Sequence, residues 1–254
     1  MKKKVLIKLA YDGSGYPGWQ RQKNIDAIEN VVENACKKAF GADAVIIGAS
    51  RTDRGVHARC QVIVIKIDTE KYKPQNVAKA LTTKLPLDII AYESYEVKDD
   101  FHPRYNKSIK TYEYKIYNNF YKLPQHRNYV GHVKSKLNVE KMIEAAKQFV
   151  GEHDFKSFCM ARSAEKDTVR EVKHIAIEKC EDNIIKVTVE GNGFLHNMVR
   201  IIVGTLIWIG EEKIEENDIK KMLNSKNRIA AGPTAPAEGL TLLEIKYIQN
   251  EKLI

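Results

Sequence analysis

The chain has 254 residues, of which 43% are hydrophobic and 30% charged, proportions that are ordinary for a globular protein with a sizeable core. Its formal net charge of +9 favours a polyanionic partner such as nucleic acid over an acidic or neutral one. The longest apolar stretch, residues 194–210, contains His196, Asn197 and Arg200. We therefore predict a buried helix there and exclude a membrane span.

Four cysteines, Cys36, Cys60, Cys159 and Cys180, form no CxxC pair and have no histidine at zinc-ligand spacing. We expect reduced and mostly buried thiols. The first nine residues are too short and too polar for a signal core, so we expect a cytoplasmic protein.

Hydrophobic patterning in the first half of the chain predicts the order β-α-β-β-α-β. Strands are predicted at residues 5–10, 45–49, 61–67 and 89–97. The first helix has apolar positions at steps of three and one, with Asp26 as its expected cap and Gly41 as its end. The second helix is predicted to run from Pro74 to Leu85.

The second half repeats this order with a strand at residues 111–117, a helix at 139–150, a hairpin of 169–178 with 184–190, helices at 195–209 and 218–223, and a closing strand at 240–248. Two such units in tandem predict an α+β fold of two ferredoxin-like halves with antiparallel sheets. We place the division between residues 1–104 and 105–254, with a basic cleft between the halves as the expected binding site.

Residues 13–18 match GxGxxG and follow a predicted strand. A dinucleotide site also needs the last glycine to open a helix, but Pro17 and Trp19 flank Gly18 here. We therefore interpret this segment as a tight loop whose glycines have positive φ.

The segment Arg51-Thr52-Asp53-Arg54-Gly55 lies between two predicted strands. An acid flanked by two arginines is expected to remain ionised, which suits a catalytic carboxylate. The alternative is a turn in which Asp53 caps a backbone amide and Gly55 supplies the bend.

Residues 101–136 contain eight lysines and arginines, one acid (Glu113) and six of the twelve tyrosines. Cations bind phosphates and aromatic rings stack on unpaired bases, so this basic window favours an RNA-facing surface over an idle basic one. Within the strand, Tyr112 and Tyr114 point to one side and Lys115 to the other. Both tyrosines are expected at or near the core.

Arg200 interrupts the apolar run Met198 to Val203. A guanidinium on such a helix needs an anionic partner or a route to solvent. Asp53 is one candidate, and another acid is the alternative.

Several blocks along nearly the whole chain resemble the tRNA pseudouridine synthase A family. They are Tyr11-Asp12-Gly13, Gly18-Trp19-Gln20-Arg21-Gln22, Arg51-Thr52-Asp53-Arg54-Gly55-Val56-His57-Ala58, Leu85-Pro86, Asp88-Ile89, Phe101-His102-Pro103-Arg104, Tyr112-Glu113-Tyr114, Phe194-Leu195-His196-Asn197-Met198-Val199-Arg200 with Gly204, and Ala235-Pro236-Ala237-Glu238-Gly239-Leu240. The Arg-Thr-Asp block is highly specific.

The resemblance implies a homodimer that needs no metal or cofactor and converts uridine to pseudouridine at positions 38 to 40 of the tRNA anticodon stem-loop. It implies that Asp53 is the catalytic carboxylate and that Arg51 assists base flipping. Tyr112 would stack on the flipped uracil, and Arg200 would pair with Asp53. We add Arg21, Arg104, Lys107 and Lys110 as expected tRNA-binding residues.

The chain departs from the family pattern at Ser50, at Arg54, in Asp26-Ala27-Ile28-Glu29 and in Leu81-Thr82-Thr83-Lys84. Two other functions compete with the synthase interpretation. One is a tRNA-binding or chaperone-like paralogue without activity. The other is a metal-dependent nuclease or phosphotransferase, which would need clustered carboxylates.

Overall fold

Two units make up the chain in the computed structural model, which describes residues 2–41, 44–160, 167–249 and 252–253. The first unit combines Met1–Lys107 with Leu242–Ile254, and the second is Ser108–Thr241. Strands and helices are mixed in both, which confirms the α+β class. No helix among these described residues is long and apolar enough to cross a membrane.

The first unit has the predicted order of elements. They are β1 (Lys2–Tyr11), α1 (Ile28–Phe40), β2 (Ile46–Gly48), β3 (His57–Asp68), α2 (Val77–Thr82) and β4 (Ile89–Val97). Strands β4, β1, β3 and β2 are neighbours in that order, and the three pairs they form are antiparallel. This is the strand arrangement of a ferredoxin-like unit.

Strand β3 does not alternate between buried and exposed residues in its middle, where residues 60–65 are all buried. It lies between β1 on one side and both β2 and β10 (Leu240–Gln249) on the other. A strand in the interior of a sheet that is covered on both faces shows a continuous apolar run rather than alternation. The one polar residue in that run, Gln61, is fully buried.

Helix α1 begins one residue later than predicted. Its N-cap residue is Ala27, which makes no side-chain cap, and Asp26 is exposed. The helix ends as predicted at Gly41, whose φ of 107° is readily adopted only by glycine. Ile28, Val32 and Cys36 are fully buried on its inner face.

The second unit contains the following elements in chain order. They are β5 (Ser108–Asn118), β6 (Gly131–Val133), α3 (Val139–Ala146), β7 (Gly151–Asp154), β8 (Val169–Lys179), β9 (Ile184–Gly191), α4 (Met198–Gly210) and α5 (Asp218–Ser225). Its sheet has the order β5-β9-β8-β7, with β6 parallel to β5. The predicted hairpin of β8 and β9 is confirmed, and it turns through Asp182 and Asn183 at positive φ.

Some boundaries differ from the sequence predictions for local reasons. Residues 74–76 and 147–149 form 3₁₀ turns, so α2 starts late and α3 ends early. Helix α4 starts at Met198 rather than at residue 195, because Asn197 has a left-handed conformation. The two observed units differ from the expected division between residues 104 and 105 in where the closing strand belongs. From Leu242 onward β10 is grouped with the first unit, because it lies beside β3.

The four cysteines are free thiols, and Cys36, Cys60 and Cys159 are buried while Cys180 is half-buried. This confirms the expectation of reduced and mostly buried thiols. Burial raises the pKa of the Cys36 thiol to about 12, so it stays protonated and unreactive at neutral pH.

Candidate active site

The loop between β2 and β3 carries Asp53. The Asp53 side chain is half-buried, whereas Arg51 and Arg54 are exposed. The loop closes through a hydrogen bond in which the Val56 amide donates to the Asp53 carbonyl at 3.1 Å. Gly55 has a φ of 78° and supplies the bend, as the turn interpretation predicted. The carboxylate is thus presented by a tight turn at the start of β3.

Thr52 fixes this turn to the body of the first unit. Its hydroxyl shares a buried hydrogen bond of 2.8 Å with the Tyr11 hydroxyl, and its carbonyl accepts from the Trp19 amide at 3.0 Å. Thr52 is 7% exposed and Trp19 is fully buried. The residue next to Asp53 therefore has both its side chain and its main chain held by buried groups.

The glycine loop that follows β1 packs directly against the Asp53 turn. A Cβ on Gly13 would lie 2.0 Å from the Val56 carbonyl oxygen, and a Cβ on Gly18 would lie 2.8 Å from the Thr52 carbonyl oxygen. Gly18 also has a φ of 114°. The tight-loop interpretation is confirmed for Gly18, whereas Gly13 is required for close approach of the two backbones.

His57, at the first position of β3, joins the two loops. Its Nδ1 accepts a hydrogen bond from the Gly13 amide at 3.1 Å and lies 3.2 Å from an Asp12 carboxylate oxygen. One ring nitrogen cannot both accept from Gly13 and donate to Asp12. The two contacts are therefore alternatives at one nitrogen, and both connect His57 to the loop that follows β1.

Gln61 holds the other end of the loop. Its side-chain oxygen accepts from the Ser50 amide at 3.2 Å, and its side-chain nitrogen donates to the Ser50 carbonyl at 2.7 Å. The loop from Ser50 to Val56 is thereby anchored at both ends and in its middle. A carboxylate on such a loop has a fixed position, as catalysis requires.

Two of the expected tRNA-binding arginines have partners within the first unit. The Arg21 guanidinium is ion-paired with Glu33, and the Arg21 amide donates to Glu29 at 2.9 Å. Both acids are at least nine-tenths buried. Arg104 is exposed and donates to the Gly48 carbonyl at 3.4 Å. Arg21 therefore has a structural partner, while Arg104 still presents its charge at the surface.

In the second unit, Tyr112 and Tyr114 are buried, as their side of the strand predicted, with exposures of 6% and 0%. The ring of Tyr112 meets Phe194 edge-on, with centroids 5.3 Å apart. The Tyr114 hydroxyl donates to the Pro236 carbonyl at 2.9 Å, and burial raises the pKa of that hydroxyl. Tyr114 is therefore a core residue, and Tyr112 has a ring of fixed orientation.

Arg200 lies in the first turn of α4 and is half-buried. Its Nε donates to the Ala235 carbonyl at 2.8 Å, and its Nη1 donates to the Asn197 side chain at 2.9 Å. The Ala235 amide in turn donates to the Arg200 carbonyl at 3.0 Å. These bonds fix the direction of the guanidinium.

The basic window divides into buried and exposed rings. Tyr112, Tyr114 and Tyr117 are at most 6% exposed, whereas Tyr105, Tyr121 and Tyr129 are between 51% and 78% exposed. Lys107, Arg127 and Lys136 are also exposed. The aromatic and basic surface predicted from the sequence therefore exists, and three of its six tyrosines are exposed on it.

Comparison with known proteins identifies the family of the chain. The family model described as tRNA pseudouridine synthase matches residues 8–106 and 145–248. Similar proteins include tRNA pseudouridine synthase A of Thermoanaerobacter sp. strain X514, which is 45% identical over 96% of this chain and 99% of its own length. Another is tRNA pseudouridine synthase A of Acetivibrio thermocellus, at 44% identity over 96% and 99% of the two chains. A third is tRNA pseudouridine synthase A 2 of Clostridium tetani, at 44% identity over 97% and 100%.

The family match and these relatives place the chain among the RNA-modifying isomerases. The chain belongs to the tRNA pseudouridine synthase family.

Three structural features of the site were not predicted from the sequence. They are the Gln61 contact with Ser50, the hydroxyl pair of Tyr11 and Thr52, and the acids that hold Arg21. Only Gln61 left a sequence signal, since it is a polar residue at the start of an apolar strand. The residues of the other two contacts give no signal in the sequence, so these contacts can be found only in the folded chain.

Proposed function

We propose that the chain isomerises uridine to pseudouridine at positions 38 to 40 of the tRNA anticodon stem-loop, with Asp53 as the catalytic carboxylate. The observation that carries this proposal is the Asp53 loop, which is anchored at Ser50, Thr52 and Val56. The choice of target positions rests on the resemblance to the synthase A family.

The reaction breaks the glycosidic C–N bond, turns the uracil and joins its C5 to the sugar. It involves no net oxidation or reduction, and a carboxylate can serve as its nucleophile or base. The uridine must leave the helical stack before Asp53 can reach it. The exposed Arg51, two residues before Asp53, fits a role in filling the space that the nucleotide vacates.

Tyr112 and Arg200 complete the proposed machinery from the second unit. Phe194 fixes the ring of Tyr112, which suits stacking on a flipped base. The Arg200 guanidinium, whose Nε and Nη1 are held by the Ala235 carbonyl and the Asn197 side chain, is proposed as the ionic partner of Asp53. Arg104, Lys107 and Lys110 are proposed to bind phosphates.

The test is position-resolved mapping of pseudouridine in tRNA treated with the purified protein. Asp53→Asn preserves the shape of the side chain but removes its charge, so it should abolish turnover and leave tRNA binding within about twofold. Asp99→Asn is the matched control, because Asp99 is an exposed acid outside this loop. Wild-type turnover by Asp53→Asn would refute the assignment.

The same assay separates the competing functions. An inactive tRNA-binding paralogue would bind tRNA without forming pseudouridine in any sample, including the wild type. A metal-dependent phosphotransferase would lose activity in EDTA, whereas we expect full activity there. We also propose that the protein acts on tRNA in the cytoplasm and that it is a homodimer.

A further inference from the structure

Strand β2 separates from β3 just before the Asp53 loop. The last register pair of these strands joins Gly48 to Ile63, and the Ala49 amide still donates to the Val62 carbonyl at 2.9 Å. The next pair would join Ser50 to Gln61. At this position the Gln61 side chain makes the hydrogen bonds that a neighbouring strand would make, one with the amide and one with the carbonyl of Ser50.

Both polar atoms of the Gln61 carboxamide take part in these contacts. Gln61 is 0% exposed, and its side-chain oxygen also accepts from the Val62 amide at 3.1 Å. The backbone of Gln61 is in register with Leu9 of β1. A buried amide that lost these partners would be costly, so the spacing between Ser50 and β3 is tightly defined.

We propose that Gln61 is a positioning residue for catalysis: it sets where the chain leaves the sheet and thereby where Asp53 is presented. This inference rests on the proposed role of Asp53, three residues after Ser50. Because these two bonds of Gln61 are made with the main-chain amide and carbonyl of Ser50, they do not depend on the side chain at position 50, where the chain departs from the family pattern. A displacement of about 1 Å in a reacting group can reduce a rate by about 100-fold.

The first test compares Gln61→Met with Ser94→Ala. Gln61→Met keeps the length of the side chain and removes its hydrogen bonds. Ser94 is a matched control in the same unit, because its buried hydroxyl also bridges two main-chain groups, the Ala78 amide at 2.9 Å and the Pro74 carbonyl at 2.7 Å.

We expect Gln61→Met to lower the single-turnover rate by about 10- to 100-fold while the Kd for tRNA changes by less than about twofold. Ser94→Ala should keep the wild-type rate even where its thermal midpoint falls. Amide hydrogen exchange should become faster at residues 50–53 in Gln61→Met and remain slow there in Ser94→Ala.

The second test uses Gln61→Glu. A protonated glutamic acid can donate to the Ser50 carbonyl and accept from its amide, whereas the carboxylate would repel that carbonyl. Burial raises the pKa of such a group, so its neutral form gains as pH falls. The rate of Gln61→Glu relative to Gln61→Met should therefore rise as the pH is lowered from about 8 to about 6.

Three results would overturn the inference. They are a Gln61→Met rate close to that of the wild type, a loss matched by Ser94→Ala at equal stability, and a rise in Kd that accounts for the whole loss of rate. Failure of the proposed function gives a different pattern, since Asp53→Asn would then keep its turnover. Hydrogen exchange at residues 50–53 tests the Gln61 contact whichever group performs the chemistry.

Discussion

At the scale of the residue, the exposed ring of Tyr105 shows which part of the basic window a nucleic acid can reach. Tyr105 is 78% exposed and stacks on His102, with centroids 4.3 Å apart and planes 26° apart. The amides of Tyr105 and Asn106 both donate to the His102 carbonyl, so the turn is well defined. The supported ring lies beside the exposed Arg104 and presents a surface on which a base can stack.

We expect Tyr105→Ala to weaken tRNA binding by about 5- to 100-fold without changing its salt dependence, because a neutral ring releases no counterions. Tyr105→Phe should bind like the wild type. Lys107→Ala and Lys110→Ala should instead lower the salt slope by about one each, since each removes a phosphate contact.

Tyr92→Ala serves as the aromatic control. Tyr92 is 47% exposed, and its hydroxyl donates to the Arg59 carbonyl within the first unit. Binding should be titrated at several salt concentrations for every variant. Equal weakening by Tyr92→Ala and Tyr105→Ala would remove the case for a stacking position at Tyr105, and an unchanged slope in both lysine variants would place the phosphates elsewhere.

At the scale of the element, the glycine loop and the β2–β3 loop behave as one packed pair. Gly13 lies against Val56, Gly18 lies against Thr52, and Gly48 lies against the buried Trp19 ring. Each contact is too close for a Cβ without movement of the backbone or of a fully buried ring. The packing of these loops therefore couples the sequence of the glycine loop to the placement of Asp53.

Gly13→Ala should lower the free energy of unfolding by about 1–3 kcal/mol and reduce turnover, because the new methyl group forces the two loops apart. Gly15→Ala is the matched control, as a Cβ there would meet no atom within 4 Å. Chemical denaturation of both variants provides the measurement. A stable and fully active Gly13→Ala protein would show that the loops can separate without loss of function.

At the scale of the whole molecule, the proposed homodimer can be tested by measuring the molecular mass of the protein in solution. The chain has a mass of 29.0 kDa. Sedimentation equilibrium at micromolar concentration should give about twice this value, as expected for a closed two-fold assembly. A single species with the monomer mass, in a preparation that forms pseudouridine, would contradict the dimer and leave the enzymatic assignment intact.

The sequence predicted most strands to within three residues, because alternating or continuous apolar runs directly encode burial. The sequence predictions failed where only a few residues carry the local pattern. Asp26 resembles a cap, but α1 starts after Ala27. Strands β6 and β7, of three and four residues, were missed, since so few residues show no period.

The sequence by itself determined the family and with it the class of chemistry, because its ordered blocks, the Arg-Thr-Asp block among them, match the tRNA pseudouridine synthases. Only the tertiary structure decided that Arg21 pairs with Glu33, that Gln61 bonds Ser50 and that Tyr105 is exposed while Tyr114 is buried. These outcomes depend on contacts between segments distant along the chain. Burial and hydrogen bonding belong to the neighbours that folding brings together, whereas functional groups belong to the residue itself.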